Sequence, residues 1–259
     1  MNIAGISRYP WLMLTHATLI GRQHRLVQLN GQDFALSDKL PHGGCFGLVL
    51  DGCGSKWRAP GETALSSSNE VGAKLLGTFA AATLPQLTLT TPLPDLPHTL
   101  AQHCLAFLHR FVHSIPFSGE ADLIRFVHTQ LLCTLVGFVH TPAAAIFFWM
   151  GDGYLLHNET VIYLESGNQP DYLAYRLLHG RGHHTPLIHS HTLTNPAHLN
   201  CLAVATDGWS EPLLHEVAAA PHSPLSLQRW LNQKAQQRGN FEDDGAIALW
   251  QTEAVGLAV

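Results

Sequence analysis

Residues 46–55 read Phe-Gly-Leu-Val-Leu-Asp-Gly-Cys-Gly-Ser: an apolar run stops on an acid, and glycines follow at once. A short apolar run bounded by glycines fits a buried strand. That strand would carry Asp51 to its very end, where the backbone must turn sharply and a ligand can come close. A carboxylate at the end of a core strand needs a cation, a dense set of hydrogen bonds or water, because desolvating an unpaired charge costs too much. A single Asp-Gly pair proves little, since most such pairs are ordinary turns.

Recurrence gives the pattern its weight. Residues 147–153 (FFWMGDG) place Asp152 at the end of another apolar run, with glycine on both sides. Residues 202–208 (LAVATDG) end in Asp207-Gly208, and residues 242–249 (EDDGAIAL) put Asp243 and Asp244 just before an apolar strand. Residues 31–36 (GQDFAL) set Asp33 before one more. Acids at five strand ends can meet only if the strands lie side by side in one core. Carboxylates without a histidine partner suit hard divalent cations such as Mg²⁺ or Mn²⁺.

Composition narrows the function classes. The chain has 259 residues, 46% of them hydrophobic, enough for a substantial core. Formal charge is −5 with only 13% charged residues, and no basic block marks a nucleic-acid partner. Apolar runs fall short of the roughly 18 residues needed to span a bilayer, so no membrane role is expected. The opening MNIAGISRYPWLML lacks the layout of a signal peptide. Five cysteines, an odd count without CxxC spacing, point to reduced thiols and a cytoplasmic protein. Eighteen histidines are scattered without HExxH spacing, and His183, His184, His189 and His191 read as a solvated loop.

Taken in order, residues 11–21 read as an edge or outer strand and residues 21–33 as a loop carrying His24 and Arg25. Strands at 34–36 and 46–50 are joined across Pro41–Gly44. A helix opens after Ser68, without a closed capping box because Val71 stands three residues on. Val71, Leu75, Leu76, Phe79 and Ala80 carry it at helical spacing. Residues 84–97, with four prolines, read as a surface connection; helices follow at about 99–115 and 122–129. Hairpins are expected at 131–150 and 154–164, and irregular structure at 166–200. A strand at 201–206, helices at 211–219 and 224–237 and a strand at 246–251 finish the chain. Strands and helices are segregated rather than alternating, which argues α+β with antiparallel sheets. The expected architecture is two stacked antiparallel β-sheets, a β-sandwich, flanked by α-helices on both outer faces. No repeat or low-complexity linker divides it, so residues 1–259 are read as a single domain.

These motifs resemble the metal-dependent serine/threonine protein phosphatases of type 2C, above all the bacterial subgroup with a His…Gln-Asp N-terminal motif. The residues carrying the resemblance are Gly21-x-x-His24 with Gln32-Asp33-Phe34-Ala35-Leu36, and Leu50-Asp51-Gly52-x-Gly54-Ser55 with Ser68-x-x-x-Gly72-Ala73. Thr134–Gly137, Met150–Gly153, Ala205–Glu211 and Asp243–Ala246 follow in the family's order, to about residue 250. The resemblance implies a β-sandwich with helices outside, acting on phosphorylated protein as a monomer. It implies that Asp51 bridges two Mg²⁺ or Mn²⁺ ions, that Gly52 offers its carbonyl to one, and that Asp207 and Asp243 complete the other. Asp152 with Asp207 would hold a third, weaker ion, while Asp33 beside Gln32 would orient bound water.

Two cations roughly 4 Å apart lower the pKa of a shared water and neutralise phosphate charge, so hydroxide attacks phosphorus in line. No covalent intermediate is required, and Cys53 is not read as a nucleophile. Three positions depart from the family. Cys53 replaces a histidine proposed as general acid. The phosphate-gripping Arg falls near Gln28, with Arg25 or His24 as substitutes. Asp-Asp-Gly-Ala replaces Asp-Asn-x-Thr, making Asp243 the ligand by register and Asp244 the fallback. Two other readings stand beside the phosphatase: a module that docks phosphoproteins without turnover, and a hydrolase of small phosphoesters.

Overall fold

The computed structural model describes residues 12–27, 29–54, 67–167, 170–178 and 188–252. Trp11, Gln28, Ser55, His183 and His184 lie outside them. Among the described residues, ten strands form two five-stranded sheets. One holds β1 (Leu12–Leu19), β10 (Gly245–Thr252), β9 (Cys201–Ala205), β6 (Gly153–His157) and β7 (Thr160–Leu164), in that order. The other holds β2 (Asp33–Lys39), β3 (Cys45–Asp51), β4 (Leu135–His140), β5 (Ala145–Met150) and β8 (His189–Leu193). Every pairing is antiparallel.

Side chains alternate across a strand, and this sorts the core. Along β3, Cys45 and Val49 face the other sheet, where they join Val136, Phe138, Phe147, Leu155, Leu202, Val204, Ala246, Ala248 and Trp250. Phe46, Leu48 and Leu50 point outward instead and pack under helices. Gly47 shares the inner face; a Cβ there would come within 2.5 Å of the Phe138 ring and 2.8 Å of Ala248, so the glycine lets the sheets close.

Three helices cover the outer face of the second sheet: α2 (Glu70–Thr90), α3 (Leu96–His113) and α4 (Glu120–Gln130). Two cover the first: α5 (Glu211–Ala218) and α6 (Pro224–Lys234), through Leu213, Leu214, Val217, Leu227 and Leu231. The expected helix-flanked sandwich is what the chain forms. No helix among the described residues is long and apolar enough to cross a membrane.

Three local expectations change. The loop expected at 21–33 contains a five-residue helix, α1 (Arg22–Leu26). Residues 84–97 are no surface connection. Helix α2 runs through Pro85 to Thr90, a 3₁₀ turn spans Leu93–Asp95, and α3 opens at Leu96. Leu84, Leu87, Leu96 and Leu100 are buried there, and that apolar burial outweighs the hydrogen bond that an interior proline forfeits. Finally, the stretch 166–200 supplies a 3₁₀ turn at Leu173–Leu177 and the edge strand β8, on which His189 and His191 are exposed.

Candidate metal centre

One end of the sandwich collects the acids. Asp33 opens β2 and Asp51 closes β3, and antiparallel register sets them directly opposite. Both sit two residues on from inward-facing neighbours, Ala35 and Val49, so both face the space between the sheets. Asp152 lies in the β5–β6 turn between Gly151 (φ 95°) and Gly153 (φ 138°), conformations that favour glycine. Ser166 Oγ donates to Asp152 Oδ2 at 2.6 Å. Asp207 follows β9 in the opposite sheet, and Asp243 precedes β10 beside it. Oxygens of Asp51, Asp152 and Asp207 all lie within 4.8 Å of one another.

The electrostatics of this cluster are unfavourable without a cation. Burial, and after it the charge of Asp207, pushes the Asp51 carboxyl up to about 8, although a hydrogen bond with Asp33 opposes the rise. Burial, followed by Asp152 and Asp243, lifts Asp207 to about 6 against the pull of two backbone N–H groups. Asp207 is exposed by surface area, so crowding by like charge matters more for it than full desolvation. Asp33 is raised well above its usual range by burial and then by Asp51. Among the described residues, no Lys, Arg or His forms an ion pair with Asp33, Asp51, Asp152 or Asp207. A crowded oxygen-only cluster fits hard divalent cations.

The neighbouring backbone is held open for such a role. The Gly52 N–H donates to the Gln32 carbonyl at 3.1 Å. The Gly52 carbonyl receives no donor among the described residues. A Cβ on Gly52 would lie 2.8 Å from Gln32 O and the backbone at Asn69 and Glu70. Cys53 is buried in the apolar layer beneath α2.

Asp243 and Asp244 divide their work. Asp244 is 3% exposed and accepts the Gly21 N–H on Oδ1 at 2.7 Å and the Gln32 N–H on Oδ2. It therefore closes the 21–32 segment onto the entrance of β10. Asp243 is exposed, and its charge acts on both Asp51 and Asp207. His24 Nδ1 lies 2.9 Å from Asp244 Oδ2, and His24, Asp243 and Asp244 each bring a donor atom within 4.8 Å of the others, a group separate from that of Asp51, Asp152 and Asp207. Arg25 is exposed on α1 with no ion pair among the described residues. Gln32 Nε2 reaches Ser67 Oγ at 3.4 Å.

Three polar residues to which the sequence assigned no role support the acids. Thr134 Oγ1 accepts the Asp51 N–H at 2.9 Å, and Thr206 Oγ1 donates to Asp33 Oδ2 at 2.6 Å. Asn69, fully buried, donates to the Cys53 carbonyl at 2.7 Å and accepts from Leu132 N at 3.0 Å. Strand alternation signals the two threonines, each two residues from an inner-face valine. Nothing local in the sequence signals Asn69.

The family model for protein phosphatase 2C matches residues 20–240. The chain belongs to the protein phosphatase 2C family. Its fold is similar to that of a bacterial serine phosphatase (TM-score 0.61, 10% identity, 95% of this chain and 98% of that one). It is likewise similar to PppA, a regulatory component of T6SS in Pseudomonas aeruginosa (0.59, 17%, 94% and 99%). Stp1, a serine/threonine phosphatase from Staphylococcus aureus, aligns at TM-score 0.58 and 12% identity over 98% and 100%. No curated protein sequence matches the chain. As a protein phosphatase 2C member it is a phosphoprotein phosphatase, and its acids stand at the strand ends that the sequence motifs marked. The family match stops before Asp243-Asp244, where the motif departs from the usual pattern.

Proposed function

We propose that this phosphatase removes phosphate from phosphoserine and phosphothreonine in proteins by direct attack of water, assisted by two Mg²⁺ or Mn²⁺ ions and a weaker third. The convergence of carboxylates from both sheets with no cationic partner among the described residues carries this reading. Asp51, Asp207, Asp243 and the Gly52 carbonyl would hold the principal ions, and Asp152 with Asp207 the third. When bound, the ions supply a water acidic enough to ionise near neutral pH and charge that offsets the phosphate.

The chain's own residues do the rest. Asp33, fixed by Thr206, orients the attacking water and can hold a proton at its raised pKa. Gln32 gives its backbone N–H to Asp244 and its carbonyl to Gly52, which sets the position of Asp33 beside it. His24 is turned on Asp244, which leaves Arg25 as the side chain of that segment to meet substrate phosphate. The same reading takes residues 1–259 as one catalytic domain acting as a cytoplasmic monomer, in keeping with five buried free thiols.

Hydrolysis of a phosphothreonine peptide with and without Mn²⁺ tests it. Turnover should require the metal, and Asp207→Asn should lower kcat/KM by about a hundredfold or more, the scale of losing a major electrostatic group. Metal-independent turnover, or a fully active Asp207→Asn, would refute the reading. Small phosphomonoesters cleaved faster than the peptide would shift it toward small substrates.

A further inference from the structure

The metal centre spans two sheets, so something must fix one half against the other. We propose that Thr206 is the positioning residue that sets this spacing. It follows the last residue of β9 in the first sheet, immediately before Asp207; its N–H donates to the Ala246 carbonyl of β10 at 3.1 Å, and it is fully buried. Asp33, its partner, opens β2 in the second sheet directly opposite Asp51.

The direction of the bond follows from counting protons. A hydroxyl has one to give. Thr206 Oγ1 accepts the Ala246 N–H at 2.8 Å, so its own proton is free to be donated. Asp33 Oδ2 lies at 2.6 Å; the alternative, the Ala246 carbonyl, lies at 3.5 Å and already accepts the Thr206 N–H at 3.1 Å. The Asp33 carboxyl oxygen therefore accepts the Thr206 hydrogen bond. A chain of two bonds thus runs from β10 through Thr206 to β2, and it ties the Asp33–Asp51 pair to the backbone that carries Asp207. His16 and Ser37 also join the two sheets, at 3.0 Å, but that contact is exposed and far along the strands from the acids. Thr206 touches neither substrate nor ion in this scheme; it acts through Asp33 and through the position of Asp207.

The inference uses the phosphatase reading for its catalytic readout but not for its binding readout. Thr206→Val keeps the shape and removes the hydroxyl; Thr206→Ser keeps the hydroxyl. Mn²⁺ binding by titration calorimetry, Mn²⁺ activation of phosphothreonine-peptide hydrolysis and thermal melting are measured on each. Loss of a residue that orients ligands costs about ten- to a hundredfold in metal affinity or activity. Thr206→Val should therefore weaken Mn²⁺ binding by about tenfold or more and lower kcat with peptide KM unchanged, while Thr206→Ser stays within about threefold of the parent. Unchanged Mn²⁺ affinity in Thr206→Val, or equal damage in Thr206→Ser, overturns the proposal. If Thr206→Val does not fold, Thr206→Cys decides, its thiol being a weaker donor: weakened Mn²⁺ binding supports the proposal and parental binding overturns it. A wild type that binds Mn²⁺ without turnover would remove the phosphatase reading, and the calorimetry would still decide the role of Thr206.

Discussion

Asp51 and Asp207 carry the residue-scale consequence, since each holds a proton in the folded, metal-free protein that the unfolded chain has already released. An unfolded aspartate titrates near pH 4, whereas Asp51 is raised to about 8 and Asp207 to about 6. Between those values the folded state binds more protons, so the contribution of these groups to stability falls as pH rises. For Asp207 the fall runs from about 4 to 6, and for Asp51 from about 4 to 8. A cation replaces the proton and reverses the trend. The rise in melting temperature on adding Mn²⁺ should be small near pH 5 and large near pH 8; a rise independent of pH would contradict the uncompensated cluster. The acids themselves were legible because a carboxylate at the end of an apolar run is chemically conspicuous. Asp243 and Asp244 look alike in a string of letters, and only packing separates the exposed one from the one that receives Gly21 and Gln32. Asn69 left no trace, because its three partners come from distant segments.

At the scale of elements, the turns matter more than the strands. The turn after β9 and the entrance to β10 press together so closely that a Cβ on Gly208 would lie 1.7 Å from the Asp244 carbonyl oxygen. Backbone, not a flexible side chain, occupies that space. Gly208→Ala must push the 243–245 segment away from Asp207, at a cost of about 1–3 kcal/mol by the usual scale of overpacking. Its melting temperature should fall, and its response to Mn²⁺ should fall further than stability alone accounts for. An unshifted Mn²⁺ response would show that the spacing of Asp207 and Asp243 is irrelevant. Helix and strand periods were readable where burial follows them, as in β3 and α3. They misled at residues 84–97, where prolines suggested a break but Leu84, Leu87 and Leu96 hold helices against the core. Helix α1, five residues long with no buried side chain, offered no period to read, and it is held instead by Arg22 and Gln23 donating to the 241–242 carbonyls.

Across the whole molecule, the sandwich is a device for bringing together carboxylates more than a hundred residues apart. Asp51 comes from one sheet, Asp207 follows a strand of the other, Asp152 lies in the turn that links the two, and neither sheet alone makes the cluster. The segregated order of strands and helices announced this architecture, since two amphipathic sheets can bury their inner faces only on each other. Strand order within each sheet was not readable, because β8 and β10 return to their sheets from far along the chain. Solved structures at 10% to 17% identity share the fold, so the architecture survives almost complete exchange of side chains. Metal binding by this protein would depend on the place where the two sheets meet. Anomalous diffraction from a Mn²⁺-soaked crystal tests it most directly: two Mn²⁺ peaks about 4 Å apart between Asp51 and the Asp207–Asp243 pair are predicted. Peaks confined to one sheet, or a cluster that stays empty while Mn²⁺ binds elsewhere, would contradict it.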